Sequence, residues 1–219
     1  MSFCTKTNKA VYLLALLGFN LLLFSCNRKP NAAFEPSTLK AKVGQPINFV
    51  DQSENANRHL WEFGDGILAR DVKAVTYAYE KPGTYTAALK VWNKKEKNEA
   101  TTTRSIVVEP PTKDELVGTW YYYLREDVVN WDGETDKSTN INEMAVNQTF
   151  FFEPLDTVYI NDYGSNLLLR RYLLGTGEVS ILDTNLTVLQ KYQIVKLYDN
   201  EMIWKVVFND HYRLLHFKK

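Results

Sequence analysis

Beyond residue 26 this sequence alternates apolar and polar side chains in short stretches, and it has no long stretch with the 3.6-residue period of a helix. A strand with one buried face shows this two-residue period. Glycine, proline, asparagine and aspartate interrupt the stretches at intervals typical of antiparallel sandwiches and barrels. The 13 tyrosines and 11 phenylalanines also favour strands. We therefore predict an all-β fold.

Two consecutive prolines, Pro110 and Pro111, divide the alternating region. Proline cannot continue a central strand and it stiffens a connection, so residues 110–113 are predicted to link two domains. The linker leaves residues 30–109 before it and residues 114–219 after it. Each part is long enough to bury one small hydrophobic core.

Residues 1–25 have the pattern of a targeting segment. Lys6 and Lys9 precede an apolar run of about 16 residues, shorter than the roughly 20 that a membrane-spanning helix needs. A basic start and a short apolar run are typical of a secretory signal peptide. The next residues, Leu23-Phe24-Ser25-Cys26, resemble the lipobox of bacterial lipoproteins. The resemblance implies cleavage after residue 25 and attachment of lipid, with acyl chains such as palmitate, to Cys26.

Lipid on Cys26 also explains the cysteine content. Cys4 leaves with the signal peptide, so the mature chain keeps one cysteine and forms no intramolecular disulfide. Residues 26–29 would be the lipidated N-terminus, and Asn27-Arg28-Lys29 lacks the acidic run that directs some lipoproteins to the cell surface. We therefore expect a cell-envelope protein, anchored by lipid to the outer membrane of a Gram-negative bacterium.

The charge balance argues against nucleic-acid partners. Basic and acidic residues both number 26, and loss of the signal peptide removes two lysines, which leaves a formal charge of about −2. Such a chain has no excess positive charge to attract a phosphate backbone.

A strand and a tight turn are predicted at residues 59–66. Trp61 and Phe63 are two residues apart, so their side chains share one face and can fill the space between two sheets. Gly64 and Gly66 permit backbone angles that a Cβ penalises, and the Asp65 side chain can accept hydrogen bonds from turn amides.

The motif Trp61-Glu62-Phe63-Gly64-Asp65-Gly66, with Tyr85 in a later Pro-Gly-Thr-Tyr stretch, resembles the PKD domain, and the resemblance extends over residues 30–109. It implies an immunoglobulin-like β-sandwich that serves as a spacer or interaction module rather than a catalyst. Some domains of this type bind calcium. Asp65 does not belong to an EF-hand pattern, and we interpret it as a turn residue.

Eight strands are predicted after the linker. The candidates are residues 118–128, 144–153, 156–161, 167–174, 177–183, 187–198, 201–208 and 211–217. Short turns such as Asp199-Asn200 join most of them, which indicates an up-and-down meander that closes into a barrel. A helical turn at Asp114–Val117 before Gly118-Thr119-Trp120 resembles lipocalin-like barrels, and this resemblance implies an eight-stranded antiparallel lipocalin-like barrel.

Alternation assigns a set of aromatic side chains to the barrel interior. They are Trp120, Tyr122, Phe150, Phe152, Tyr192 and Trp204. Because an eight-stranded barrel is either filled or holds one small ligand, this set is either a core or the wall of an apolar pocket. The same alternation places Leu124 on the face of Trp120 and Arg125 on the opposite face.

A polar connection, residues 125–143, interrupts the regular strands and contains Trp131. Its position after the first barrel strand makes Trp131 a candidate lid residue over the barrel. The alternative is that Trp131 folds back onto the barrel wall.

No catalytic constellation is evident in the sequence. His211 and His216 are five residues apart, so on a strand they point to opposite faces and cannot pair on a metal. His59 is expected on the outer face of its strand. There is no nucleophile-elbow or metalloprotease motif. We predict no metal, no cofactor and no enzymatic activity.

The leading hypothesis is a non-catalytic lipoprotein in which residues 30–109 form a stalk. The barrel at the other end would bind a small apolar molecule, a glycan or a protein partner. The alternatives are a structural or adhesion component that makes only protein contacts, and a hydrolase that acts on envelope or dietary polymers.

Overall fold

The structure is a computed structural model, and it describes residues 28–129, 138–142, 148–162, 166–209 and 211–219. The predicted signal peptide, Cys26 and Trp131 lie outside these ranges. Among the residues described, no helix is long and apolar enough to cross a membrane.

The N-terminal domain is a β-sandwich of eight strands. They are β1 Phe34–Pro36, β2 Lys40–Lys42, β3 Ile47–Asp51, β4 Arg58–Glu62, β5 Leu68–Arg70, β6 Ala74–Tyr77, β7 Gly83–Trp92 and β8 Glu99–Glu109. One sheet has the order β1-β3-β6 and the other has the order β2-β8-β7-β4-β5. Most neighbours whose register is defined are antiparallel, whereas β2 pairs with β8 in parallel.

Aromatic side chains from both sheets fill the sandwich core. Phe49 of β3 lies 6.1 Å from Trp61 of β4 and 5.4 Å from Phe63, measured between ring centroids. Phe34 meets Trp61 edge-on at 5.2 Å. All four side chains are buried. The prediction that Trp61 and Phe63 share an inward face is confirmed.

His59 is not on the outer face of β4, as the sequence had suggested. It lies two residues before Trp61, and residues two apart on a strand share a face. The side chain is therefore buried, with Nε2 3.0 Å from Oδ2 of the equally buried Asp51.

A four-residue helix, α1 (Lys113–Leu116), follows the two prolines. Thr112 caps it: its hydroxyl accepts from the Glu115 amide while the Glu115 carboxylate accepts from the Thr112 amide, so that two unpaired helix-end donors are satisfied. The expected helical turn is present, and its last residue, Leu116, is fully buried.

The C-terminal domain is a closed antiparallel barrel. Its strands are β9 Gly118–Val129, β10 Ser138–Asn142, β11 Gln148–Phe152, β12 Thr157–Asp162, β13 Asn166–Leu174, β14 Glu178–Leu182, β15 Val188–Tyr198, β16 Glu201–Val207 and β17 His211–Lys218. The order β9-β11-β12-β13-β14-β15-β16-β17 is closed by pairing of β17 with β9. The predicted eight-stranded barrel after a sandwich is confirmed.

Two details of the barrel bear on the predictions. Asp199 and Asn200, between β15 and β16, both have positive φ (56° and 58°), as the proposed tight hairpin requires. In contrast, the polar connection expected over residues 125–143 is shorter. Strand β9 continues to Val129, and the short strand β10 pairs with its second half.

Candidate functional site

The interior of the barrel is the candidate site. It lies wholly within one compact unit of the chain, which contains Ser105–Lys219. The six aromatic residues predicted to face inward all belong to it. Trp120, Tyr122, Phe150, Phe152 and Trp204 are buried in one hydrophobic cluster, and the partly buried Tyr192 packs against that cluster.

Trp204 is the centre of this cluster. Its ring lies 4.7 Å from that of Phe217, 5.6 Å from Phe150 and 6.0 Å from Phe152. Tyr192 stacks on it with centroids 4.8 Å apart and the planes inclined by 29°. Edge-to-face and stacked pairs at these distances are favourable beyond the area they bury.

One end of the barrel is closed by the helix before the first strand. Leu116 of α1 is fully buried, and the Trp120 indole donates a 2.7 Å hydrogen bond to its carbonyl oxygen. Met202 and Phe217, the inward residues of β16 and β17 nearest this end, are also fully buried.

At the other end, inward-facing side chains reach solvent. On β13, Leu168 lies directly opposite the core residue Ile160 and is 37% exposed. Phe208, the residue after β16, is 39% exposed, whereas Trp204 within β16 is fully buried. We call this end the mouth, defined by Leu168, Phe208 and Arg213. Exposure therefore rises along the interior from the helix-capped end to the mouth.

Three charged side chains of β9 and β17 line the interior near the mouth. In the pairing of β9 with β17, Asp127 lies opposite Arg213 and Arg125 lies opposite Leu215. Leu215 packs against the core, and residues directly opposite in a ladder share a face, so the charged residues point inward. We call Arg125, Asp127 and Arg213 the Arg–Asp–Arg cluster.

Asp127 is held by both arginines. Arg125 donates from Nε at 2.8 Å and from Nη2 at 2.5 Å to Oδ2, and Arg213 donates from Nε at 2.6 Å to Oδ1. Burial by itself would raise the Asp127 pKa, but these charge-assisted hydrogen bonds outweigh it and hold the pKa below its usual value. The carboxylate is therefore ionised at neutral pH, and two positive charges face one negative charge.

Tyr192 and Trp204 add polar atoms to the same wall. Burial raises the pKa of the Tyr192 hydroxyl, and the positive charge of Arg213 opposes this rise. The indole Nε1 of Trp204 is buried and meets no acceptor among the residues the structure describes. Arg213 also lies over the ring of Phe208, at 5.4 Å.

The sequence interpretation missed this cluster because of a β-bulge. The register shifts between His216 and Phe217, so that Tyr122 pairs with Phe217 but Leu124 pairs with His216. Strand β9 thus has one extra residue, which turns Arg125 inward and Leu124 outward, the reverse of what strict alternation predicts. A signal was available in β17, where Arg213 is in phase with Leu215 and Phe217.

Gly64, Asp65 and Gly66 of the Trp61–Gly66 motif shape and stabilise a turn. Gly64 has a φ of +88°, and a Cβ there would lie 2.8 Å from the Thr86 backbone oxygen. Gly66 also has positive φ, and Asp65 accepts a 3.2 Å hydrogen bond from the Ile67 amide.

Tyr85, the remaining residue of the predicted motif, is anchored at both ends of its side chain. Its hydroxyl donates to the Lys81 carbonyl oxygen at 2.8 Å, and its ring stacks on Tyr79 with centroids 4.2 Å apart.

Within the described ranges no group of three or more histidine, cysteine, aspartate or glutamate residues could hold a metal ion. His216 lies 2.9 Å from the Glu126 carboxylate, and His211 stacks on Phe208. The two histidines therefore have different neighbours.

These features define a modular all-β protein, an immunoglobulin-like sandwich joined to a closed barrel. Residues 27–108 match the family model of the PKD domain, and this part of the chain belongs to that family. The chain is similar to the PKD1 domain of Vibrio anguillarum Epp, with 31% identity over 39% of this chain and 99% of that chain and a TM-score of 0.33.

Two other solved structures are similar over the same part of the chain. The PKD1 domain of the Vibrio cholerae metalloprotease PrtV has 28% identity over 37% of this chain and 99% of that chain, with a TM-score of 0.33. The PKD domain of the human VPS10 domain-containing receptor SorCS2 has 19% identity over 39% of this chain and 76% of that chain, with a TM-score of 0.32. Among curated proteins nothing matches the chain.

Proposed function

We propose that this protein is a non-catalytic lipoprotein of the bacterial cell envelope, tethered by lipid on Cys26, whose barrel binds one small, largely apolar molecule through the mouth. The PKD domain is its stalk or interaction module. The rise in exposure along the interior, from a capped aromatic end to the mouth, is the observation that carries the binding role, because ligand sites are concave, mostly apolar and furnished with few polar groups.

The chemistry of the interior supports a binding role over a catalytic one. Arg125, Asp127 and Arg213 contribute two guanidiniums and one carboxylate to this interior, and Tyr192 contributes a phenol. The carboxylate is fully engaged by the arginines. This arrangement is suited to holding a ligand, since the carboxylate is not free to act as the base of a nucleophile.

Matched substitutions on adjacent residues test the binding site. Leu168 faces the interior, and its neighbour Leu169 faces solvent. The chain from residue 27 onward, which lacks Cys26 and is used here as the mature chain, keeps every strand that the structure describes. Native mass spectrometry of this chain should show a bound small molecule that a solvent extract releases. Leu168→Trp should reduce its occupancy and Leu169→Trp should not. Absence of any bound species and of uptake of added apolar probes would refute the binding role.

The two cysteines offer a matched test of the anchor. Cells that express the full chain should incorporate alkyne-tagged palmitate into it. Cys26→Ser should abolish the label, and Cys4→Ser should leave it unchanged. Equal labelling of the two variants would show that Cys26 is not the lipid site.

The outer surface of the barrel favours a second candidate, a component of an envelope assembly. Phe151, Tyr159 and Leu169 lie directly opposite one another on β11, β12 and β13. Leu167 and Leu173 extend this apolar row and are 67% and 61% exposed. Large exposed apolar patches commonly mark interaction sites. Loss of a cross-linked envelope partner in Leu169→Glu, with ligand occupancy unchanged, would support this candidate.

A further inference from the structure

We propose that the barrel ligand is an anionic amphiphile, with an acidic headgroup held by Arg213 at the Arg–Asp–Arg cluster and an apolar tail directed towards Trp204. This inference rests on the proposed binding function, and it specifies the chemical class of the ligand.

The cluster has more donors and more positive charge than Asp127 can satisfy. Both carboxylate oxygens are used, Oδ2 by Arg125 and Oδ1 by Nε of Arg213. The two terminal nitrogens of Arg213 have no acceptor among the residues described. One positive charge is thus left over in a partly buried position, since the Arg213 side chain is only 27% exposed.

An unbalanced charge inside a barrel favours an anion. Charges withdrawn from water are costly unless they are paired and hydrogen-bonded. A guanidinium with free terminal N–H groups matches the two oxygens of a carboxylate in geometry as well as in charge. The headgroup would therefore complete the hydrogen bonding of Arg213 without displacing Asp127.

The next layer of the interior also offers donors. The Tyr192 side chain packs against the interior cluster and adds a hydroxyl donor to it. Deeper on the same wall, the Trp204 indole stacks on Tyr192 and its fully buried N–H has no acceptor among the described residues. Buried donors are rarely left unpaired, so this N–H is a donor that a ligand atom at that depth would satisfy.

The side chains packed around Trp204 are mostly aromatic. The rings of Phe150, Phe152 and Phe217 surround it, and the opposite end is closed by the helix. A molecule that enters from the mouth with its tail first would therefore place an acyl or other apolar chain against the cluster and leave its charged end beside Arg213.

Three probes of equal chain length separate charge from apolar binding. Dodecanoate, dodecanol and dodecylamine, each below its critical micelle concentration, would be titrated into the mature chain and followed by tryptophan fluorescence and native mass spectrometry. We expect dodecanoate to bind at least about tenfold more tightly than dodecanol, with dodecylamine weakest, because a charge-assisted pair is added for the acid alone. High salt should reduce this preference.

Substitution of the guanidinium assigns the preference to the cluster. Arg213→Gln should weaken dodecanoate binding by about tenfold and leave dodecanol unchanged, and Arg213→Lys should keep part of the preference because the charge remains. The control is Arg171→Gln, since Arg171 is exposed on the outside of β13. A circular dichroism spectrum and melting curve for each variant would verify its fold.

The possible outcomes separate the two proposals. Equal affinity for all three probes, or equal effects of the Arg213 and Arg171 substitutions, would overturn the anionic ligand while leaving a neutral-ligand barrel intact. Failure of every probe to bind, together with no native ligand, would refute both the ligand class and the binding function.

Discussion

Replacing Asp127 by asparagine should destabilise the barrel strongly although the change is nearly isosteric. The carboxylate accepts three charge-assisted hydrogen bonds from two arginines. Breaking a buried ion pair by removing one partner costs about 3–5 kcal/mol. The arginine side chains are 27% and 29% exposed, so water screens part of the remaining repulsion. We therefore expect a loss of about 2–3 kcal/mol in the free energy of unfolding.

Urea denaturation would measure this loss. Because tryptophans of both domains contribute to the fluorescence, the unfolding transitions of the two domains must be fitted separately. Hydrogen exchange at the amides of β9 and β17 would show whether the destabilised domain is the barrel. Glu178→Gln is the control, since Glu178 is an exposed carboxylate on barrel strand β14.

A double substitution tests the reason for the effect. In Asp127→Asn combined with Arg213→Gln, one uncompensated charge is removed along with the carboxylate. The double variant should therefore be more stable than the sum of the single losses predicts, with a coupling of about 1 kcal/mol or more. A loss below about 0.5 kcal/mol for Asp127→Asn, or additive effects, would show that the cluster is solvated and does not balance charge inside the barrel.

Three further predictions concern pH, backbone geometry and the capped end. The pKa of Asp127 is lowered in the folded protein, so the ionised carboxylate stabilises the fold above the unfolded-state pKa of about 3.9. This stabilisation disappears as the pH falls through the folded-state pKa. The stability difference between wild type and Asp127→Asn should therefore shrink below about pH 4 in acid titrations. Gly64→Ala should lower the free energy of unfolding by about 2–4 kcal/mol in calorimetry, because the residue has positive φ and the new Cβ would clash with backbone. Gly66→Ala also has positive φ but its Cβ would meet no atom within 4 Å, so it should cost about 1–2 kcal/mol. Equal losses for the two variants would contradict the clash. Trp120→Phe should cost about 1–3 kcal/mol because a buried carbonyl loses its donor, and an unchanged melting temperature would show that water replaces the indole.

Much of the fold could be predicted because side-chain alternation and turn residues are local. Trp61 and Phe63 are in phase with the sandwich core, and the Asp199-Asn200 turn fixes the β15–β16 hairpin. These features depend on neighbours within a few residues along the chain. The aromatic set around Trp204 was found for the same reason.

The charged part of the site could not be predicted in the same way. The extra residue in β9 is defined only by pairing with β17, about 90 positions later, and it inverts the orientation of the residues from Leu124 onward. A pattern read within β9 alone therefore places Arg125 on the wrong face. Burial of His59 was missed for a simpler reason, because its phase with Trp61 was overlooked.

The pairing of β9 with β17 also has a consequence for how the barrel is assembled. These strands are the first and last of the closed sheet, and Asp127 meets its partner Arg213 across a separation of 86 positions in sequence. Pairings this distant in sequence make folding slow. Until β17 has been synthesised, β9 and β16 each present an unpaired edge that can recruit another chain. Assembly of the barrel is therefore expected to lag behind that of the PKD domain, which is complete much earlier in synthesis.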